Sequence, residues 1–169
     1  PVHPDLSRQM LFEEGSWWSY VDTQDSSQHR LEVTYFESYF EENGPFSNKE
    51  TEYVFKTIRN DELELELYAN GGDDYSVVYM SFEGQSDILI ESQEAELYDW
   101  AELQYASYDF RDTTFADVVH LINEPSSTDT SFYPLEIWFA GDVGVIRYVW
   151  SDGSIWELTD YQSTPKDRF

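Results

Sequence analysis

The side chains whose spacing most readily suggests chemistry are carboxylates. Glu62, Glu64 and Glu66 alternate with Leu63, Leu65 and Leu67. On an extended strand this places the acids on one face, about 7 Å apart. Such a row suits a cation site or an acid/base pair. A solvated strand face is the simpler account, because like charges with no neighbouring Arg or His need water. Asp73-Asp74 beside Gly71-Gly72, and Asp22 with Asp25, offer oxygen ligands suited to Ca²⁺. Neither stretch has EF-hand spacing, and turns use the same residues. The expected cofactor is therefore none, with calcium as the alternative.

The histidines are His3, His29 and His120. They form no H-E-x-x-H motif and no pair at i, i+4, so no metal site is assigned. His120 lies in the apolar run Val118-Val119-His120-Leu121-Ile122, where a hydrogen-bonded core histidine is expected. No G-x-S-x-G elbow, P-loop or G-x-G-x-x-G is present. No catalytic residue is assigned, and a binding role is expected over an enzymatic one.

Aromatic side chains are the stronger lead, with Trp 6, Tyr 13 and Phe 11 in the chain. The candidate ligand-binding residues are Trp17, Trp18, Tyr148 and Trp150. The last two lie in a C-terminal hairpin turning at Asp152-Gly153. A two-residue turn there sets Val149 opposite Trp156 and Trp150 opposite Ile155. Trp156 and Leu158 then share the core face, and Trp150 and Tyr148 point the other way, towards a ligand or partner. Aromatic platforms stack on sugar rings, and a curved apolar sheet binds acyl chains; an aromatic-rich core is the plain alternative.

The elements that position these residues are mostly strands. Alternation marks residues 63–67, and Asn70-Gly71-Gly72-Asp73 turns them into a second strand at 75–82. Residues 135–140, 143–150 and 154–161 form a meander, and 16–22, 30–40 and 51–59 a similar one. Residues 87–92 read as a weaker strand. Residues 93–103 suit a helix, while 100–108 suit a strand. Residues 113–123 read as a buried strand over a helix. Residues 124–131 form a loop, and Ser7 can cap one helical turn through Met10-Leu11-Phe12. The expected fold is mostly β: a single domain over 1–169, a curved antiparallel sheet or β-barrel of about ten strands with at most one or two short helices. Residues 1–10 are expected to be loosely ordered.

Composition sets the bounds. A chain of 169 residues and 19.9 kDa fits one domain. Cys is 0, which removes disulfides and thiol chemistry. Lys+Arg is 9 against Asp+Glu 35, a net charge of −26. Nucleic acid is excluded as a partner, since its binding depends on cationic side chains. The acidity fits solubility, high-salt adaptation or divalent-cation binding. No apolar run approaches the ~18 residues of a transmembrane segment, and no apolar h-region follows Pro1-Val2-His3-Pro4-Asp5.

Both ends of the chain show a resemblance. Leu11-Phe12-Glu13-Glu14-Gly15-Ser16-Trp17-Trp18-Ser19-Tyr20, with the later strand at 30–36, resembles the Gly-x-x-Trp-x-Tyr opening of uncharacterised envelope lipoproteins of the Bacteroidota. Phe139-Ala140-Gly141-Asp142-Val143-Gly144-Val145-Ile146-Arg147-Tyr148 and the stretch 152–161 resemble their closing hairpin. The resemblance implies a half-barrel like that of periplasmic lipoprotein carriers, or a lipocalin-like barrel. It also implies a mature, exported domain, periplasmic or anchored at the outer membrane, and no known reaction. Together these readings give a non-enzymatic binding module for a hydrophobic or lipid-like ligand. The alternatives are a carbohydrate-binding β-sandwich with exposed aromatics and a small carboxylate-dependent hydrolase.

Overall fold

Leu63, Leu65 and Leu67 are buried, and Glu64 and Glu66 are exposed. Strict alternation requires this of a strand with one wet face. Glu62, Asp73 and Asp74 lie outside the described residues. The structure, a computed structural model, describes residues 8, 10–42, 50–61, 63–71, 75–82, 88–93, 101–122 and 134–165.

Eleven strands make up the fold: β1 (Trp17–Asp22), β2 (Gln28–Glu42), β3 (Glu50–Arg59), β4 (Glu64–Gly71), β5 (Tyr75–Phe82), β6 (Ile88–Gln93), β7 (Ala101–Phe110), β8 (Thr113–Ile122), β9 (Pro134–Ala140), β10 (Gly144–Trp150) and β11 (Ile155–Gln162). All belong to one antiparallel sheet in the order β6-β5-β4-β3-β2-β1-β11-β10-β9-β8-β7. The first and last strands meet at its centre, and β6 and β7 are its edges. The alternatives open in the sequence resolve to strand at 101–110 and at 113–122. Residues 94–100 and 124–131 lie outside the described ones.

One face of this sheet is the core. It carries Trp18, Tyr20, Leu31, Val33, Val54, Ile58, Leu65, Leu67, Tyr148 and Trp156, all buried. A single sheet buries such a face only by curling or being covered, and here both occur. Arg8 and Met10 have helical backbone, and Phe12 makes a bridge with Pro165. Met10, Leu11 and Phe12 are all under 3% exposed. Of residues 1–10 only Arg8 and Met10 are described, and Met10 joins Leu11 and Phe12 in the cover.

The C-terminal hairpin departs from its expected register. Tyr148 pairs with Trp156 and Val149 with Ile155. The Trp150 N–H donates to the Ser154 carbonyl and the Gly153 N–H to the Trp150 carbonyl, both at 2.9 Å. The turn therefore holds Ser151, Asp152 and Gly153, one residue more than a tight Asp-Gly turn, with Gly153 at φ 89°. A one-residue slip reverses every side chain beyond it. Trp150 and Tyr148 consequently face inward beside Trp156, and the two-face division expected for them is corrected.

Exposed acids on the outer face include Glu32, Glu37, Glu64 and Glu66. With a net charge of −26, self-repulsion weakens the native state at low ionic strength. The melting temperature is expected to rise as NaCl increases from about 10 mM to about 0.5 M, where the screening length falls below about 5 Å. CaCl₂ at matched ionic strength is expected to give no further gain. A melting point indifferent to salt would show that the charges are too dispersed to matter.

Candidate functional site

The side chains brought together on the inner face come from strands far apart in the sheet. Lys56 of β3 and Tyr148 of β10 line one cavity, together with Trp18 and Tyr20 of β1, Leu31 of β2 and Leu67 of β4. In a flat sheet β3 and β10 would stand about 19 Å apart, four spacings of about 4.8 Å. Their shared cavity measures how strongly the sheet curls. Met10 and Phe12 reach into the same space and leave a void of about 20 Å³, room for about one water molecule.

Each wall has a local cause. The even positions Val54, Lys56 and Ile58 of β3 share the inward parity, which carries the lysine into the core at 3% exposure. Its ammonium donates to the Met10 carbonyl and lies 5.4 Å from the Phe12 ring centroid. Burial lowers the Lys56 pKa from 10.5 to about 7, because desolvation disfavours the charged form. The Tyr20 hydroxyl donates to the Val145 carbonyl at 2.9 Å. Burial, then the neighbouring Tyr148, raises the Tyr20 pKa well above its ordinary value, and burial raises that of Tyr148 as well. Both phenols therefore stay protonated at neutral pH and offer neutral hydroxyls rather than bases.

Trp18 closes one end of the cavity. Its Nε1 donates to the Val143 carbonyl at 2.6 Å, and its ring meets Phe12 edge-on at 5.3 Å. This contact needs Gly144, whose φ is +100° and where an added Cβ would lie 3.0 Å from Trp18 Nε1 and 3.1 Å from Phe12 Cε2. Gly144→Ala is expected to cost about 1–3 kcal/mol, from backbone strain and from pushing these rings apart. Urea denaturation measures it.

The sequence candidates divide. Tyr148 and Trp18 line the cavity. Trp150 is fully buried, 5.0 Å from Tyr148 and 5.0 Å from Trp156, within the core beside it. Trp17 faces the other way, with the Arg30 guanidinium 4.1 Å from its ring centroid. Lys56, Met10 and Phe12 were not among the sequence candidates for the site, and Tyr20 entered only as the Tyr of the Gly-x-x-Trp-x-Tyr opening. The available signal for Lys56 was its place between Val54 and Ile58 on an alternating strand.

The remaining candidates are accounted for locally. Asp22 Oδ1 accepts the Gln24 N–H and Asp25 Oδ1 the Ser27 N–H, each at 2.8 Å, as turn-forming aspartates do. Among the described residues no cluster of His, Asp or Glu suited to a metal ion is found. His120 stacks on Trp138 at 3.8 Å and its Nε2 shares a 2.8 Å hydrogen bond with Glu136. Burial lowers its pKa, against the opposing pull of Glu136. Its Nδ1 has no hydrogen-bond partner among the described residues.

The outer face of β2, β3 and β4 carries a ladder of aromatic rings. Tyr39 stacks on Tyr53 at 5.4 Å and on Phe55 at 6.2 Å, and Phe55 lies 4.9 Å from Tyr68. Tyr35 and Tyr39 are exposed.

Comparison with protein-family models, curated proteins and solved structures finds no match for this chain.

Proposed function

We propose that this chain is a non-enzymatic binding module that holds an apolar, lipid-like ligand on the inner face of its curled sheet, and that it works as an exported, cell-envelope protein. One observation carries the binding reading. The cavity lined by Trp18, Leu31, Ile58 and Leu67 is filled by Met10 and Phe12, side chains of the segment before β1 rather than of the sheet. A sheet that closed its own core would need no such filler. Burying a large apolar side chain contributes about 1.5–3 kcal/mol, and each buried methylene about 0.8 kcal/mol. A chain of about ten methylenes therefore balances Met10, Leu11 and Phe12, and exchange is energetically even. The export reading rests on the resemblance of the two chain ends to envelope lipoproteins.

Titration with a neutral, environment-sensitive apolar fluorophore tests the binding. Saturable binding that weakens in Leu67→Phe, which narrows the cavity, is expected. A native mass spectrum of protein from its own host is expected to show a retained small-molecule mass. Absence of both overturns the reading.

The ladder of Tyr39, Tyr53, Phe55 and Tyr68 favours a second reading, a platform for a neutral glycan on the outer face. It would be carried by a single sheet and not by a sandwich. Calorimetric titration with neutral oligosaccharides, compared between the parent and Tyr39→Ala, tests it. No heat in either rules it out.

A further inference from the structure

We infer that the ligand of the inner cavity is a single-chain amphiphile with a carboxylate head, and that it binds by displacing Met10–Phe12 and taking the Lys56 ammonium from the Met10 carbonyl. The inference rests on the apolar-ligand reading above and adds the head group, its partner and the exchange.

The segment before β1 already has the form of such a ligand. It presents apolar side chains to the cavity and one oxygen, the Met10 carbonyl, to the ammonium. Lys56 is the charged side chain among the cavity-lining residues, and it is 3% exposed. A buried ammonium is costly unless paired with an opposite charge, and a neutral carbonyl leaves that charge uncompensated. A carboxylate forms a hydrogen bond charged on both sides, stronger than the one it replaces, in a site largely free of water. An alcohol of the same length brings the same apolar chain without this gain. Tyr20 and Tyr148 are neutral at physiological pH and do not oppose an anion.

The segment is held at both ends by polar contacts outside the cavity. Arg8 pairs with Asp117 and Asp142 at 2.9 Å each, and its carbonyl accepts the Asp142 N–H at 2.9 Å. At the other end the Glu13 N–H donates to the Thr164 carbonyl at 2.9 Å, and Gly15, at φ +87°, follows. Residues 10–12 thus lie between the Arg8 ion pairs and the turn at Gly15, and displacing them need not break a strand pairing of the sheet.

Competition of hexadecanoate and of hexadecanol against the neutral fluorophore at pH 6, where Lys56 is charged, tests the inference on the full chain. Hexadecanoate is expected to bind about tenfold or more tightly than the alcohol. Lys56→Met, checked for folding by near-ultraviolet circular dichroism, is expected to remove the difference while keeping alcohol binding. Arg8→Ala, which removes the pairs to Asp117 and Asp142 without changing a cavity-lining side chain, is expected to tighten both ligands by loosening the segment. Equal binding of acid and alcohol in the parent protein overturns the inference and leaves the apolar-ligand reading standing. So does a carboxylate preference that survives in Lys56→Met. Failure of both ligands and of the fluorophore overturns the two together.

Discussion

Trp150→Ala and Trp156→Ala are each expected to destabilise the protein by about 3–5 kcal/mol, the usual range for a buried aromatic truncated to alanine. Trp150 is 0% exposed and Trp156 is 5% exposed. Their rings lie 5.0 Å apart at 61°, and Tyr148 stacks on Trp150 at 5.0 Å. The Trp156 ring also stacks on His29 at 3.8 Å. Either truncation opens a cavity that its neighbours, fixed to separate strands, cannot fill. The losses are a large part of a typical stability of about 5–15 kcal/mol. Because the rings touch, the double variant is expected to lose less than the sum of the two. Trp17→Ala on the outer face, beneath Arg30, is expected to cost about 1 kcal/mol or less and serves as the control. Urea denaturation of the set decides. A Trp150→Ala variant as stable as the parent would show that this ring is no part of the core.

Lys56→Met is expected to raise stability near pH 6 by about 1–3 kcal/mol. The Lys56 pKa falls from 10.5 to about 7. At about 1.4 kcal/mol per unit, the shift makes burial of the charged form cost several kcal/mol. The thioether keeps the volume and removes that cost. Against this, the Met10 carbonyl loses its donor, a loss of about 1–3 kcal/mol. The pH dependence follows from the direction of the shift. Between about 7 and 10.5 the folded chain holds Lys56 neutral while the unfolded chain holds it charged. The unfolded state then binds more protons, so the parent gains stability as pH rises through this window. Below about 7 the full penalty applies. The advantage of Lys56→Met is therefore expected to be greatest at pH 6 and to shrink by pH 9.5. That limit stays below the range where the raised pKa values of Tyr20 and Tyr148 act in the opposite sense, lowering stability as pH rises above 10. Guanidinium denaturation at pH 6, 8 and 9.5 measures it. A gain that is independent of pH would assign the effect to packing alone.

Strand identity is a local property, and it was written in the sequence. The Leu63–Leu67 alternation and the Val- and Tyr-rich runs each follow from rotamers, sterics and parity within a few residues. So do the burial of Trp156 with Leu158 and the positive φ of Gly153. The acidity is likewise a property of composition. Register was not local. One added residue in the turn at 151–153 reverses Trp150 and Tyr148, and the hydrogen bond between Trp150 and Ser154 that sets it depends on the completed hairpin. The cavity was less legible still. Lys56, Tyr20 and Tyr148 are separated by most of the chain and meet because β1 pairs with β11 and the sheet curls. Met10–Phe12 looks like a terminal fringe until that curved face exists for it to cover. The sequence determined an acidic, aromatic chain of alternating strands; only the tertiary structure decided which face became a cavity, because curvature and closure arise from contacts between residues far apart in sequence.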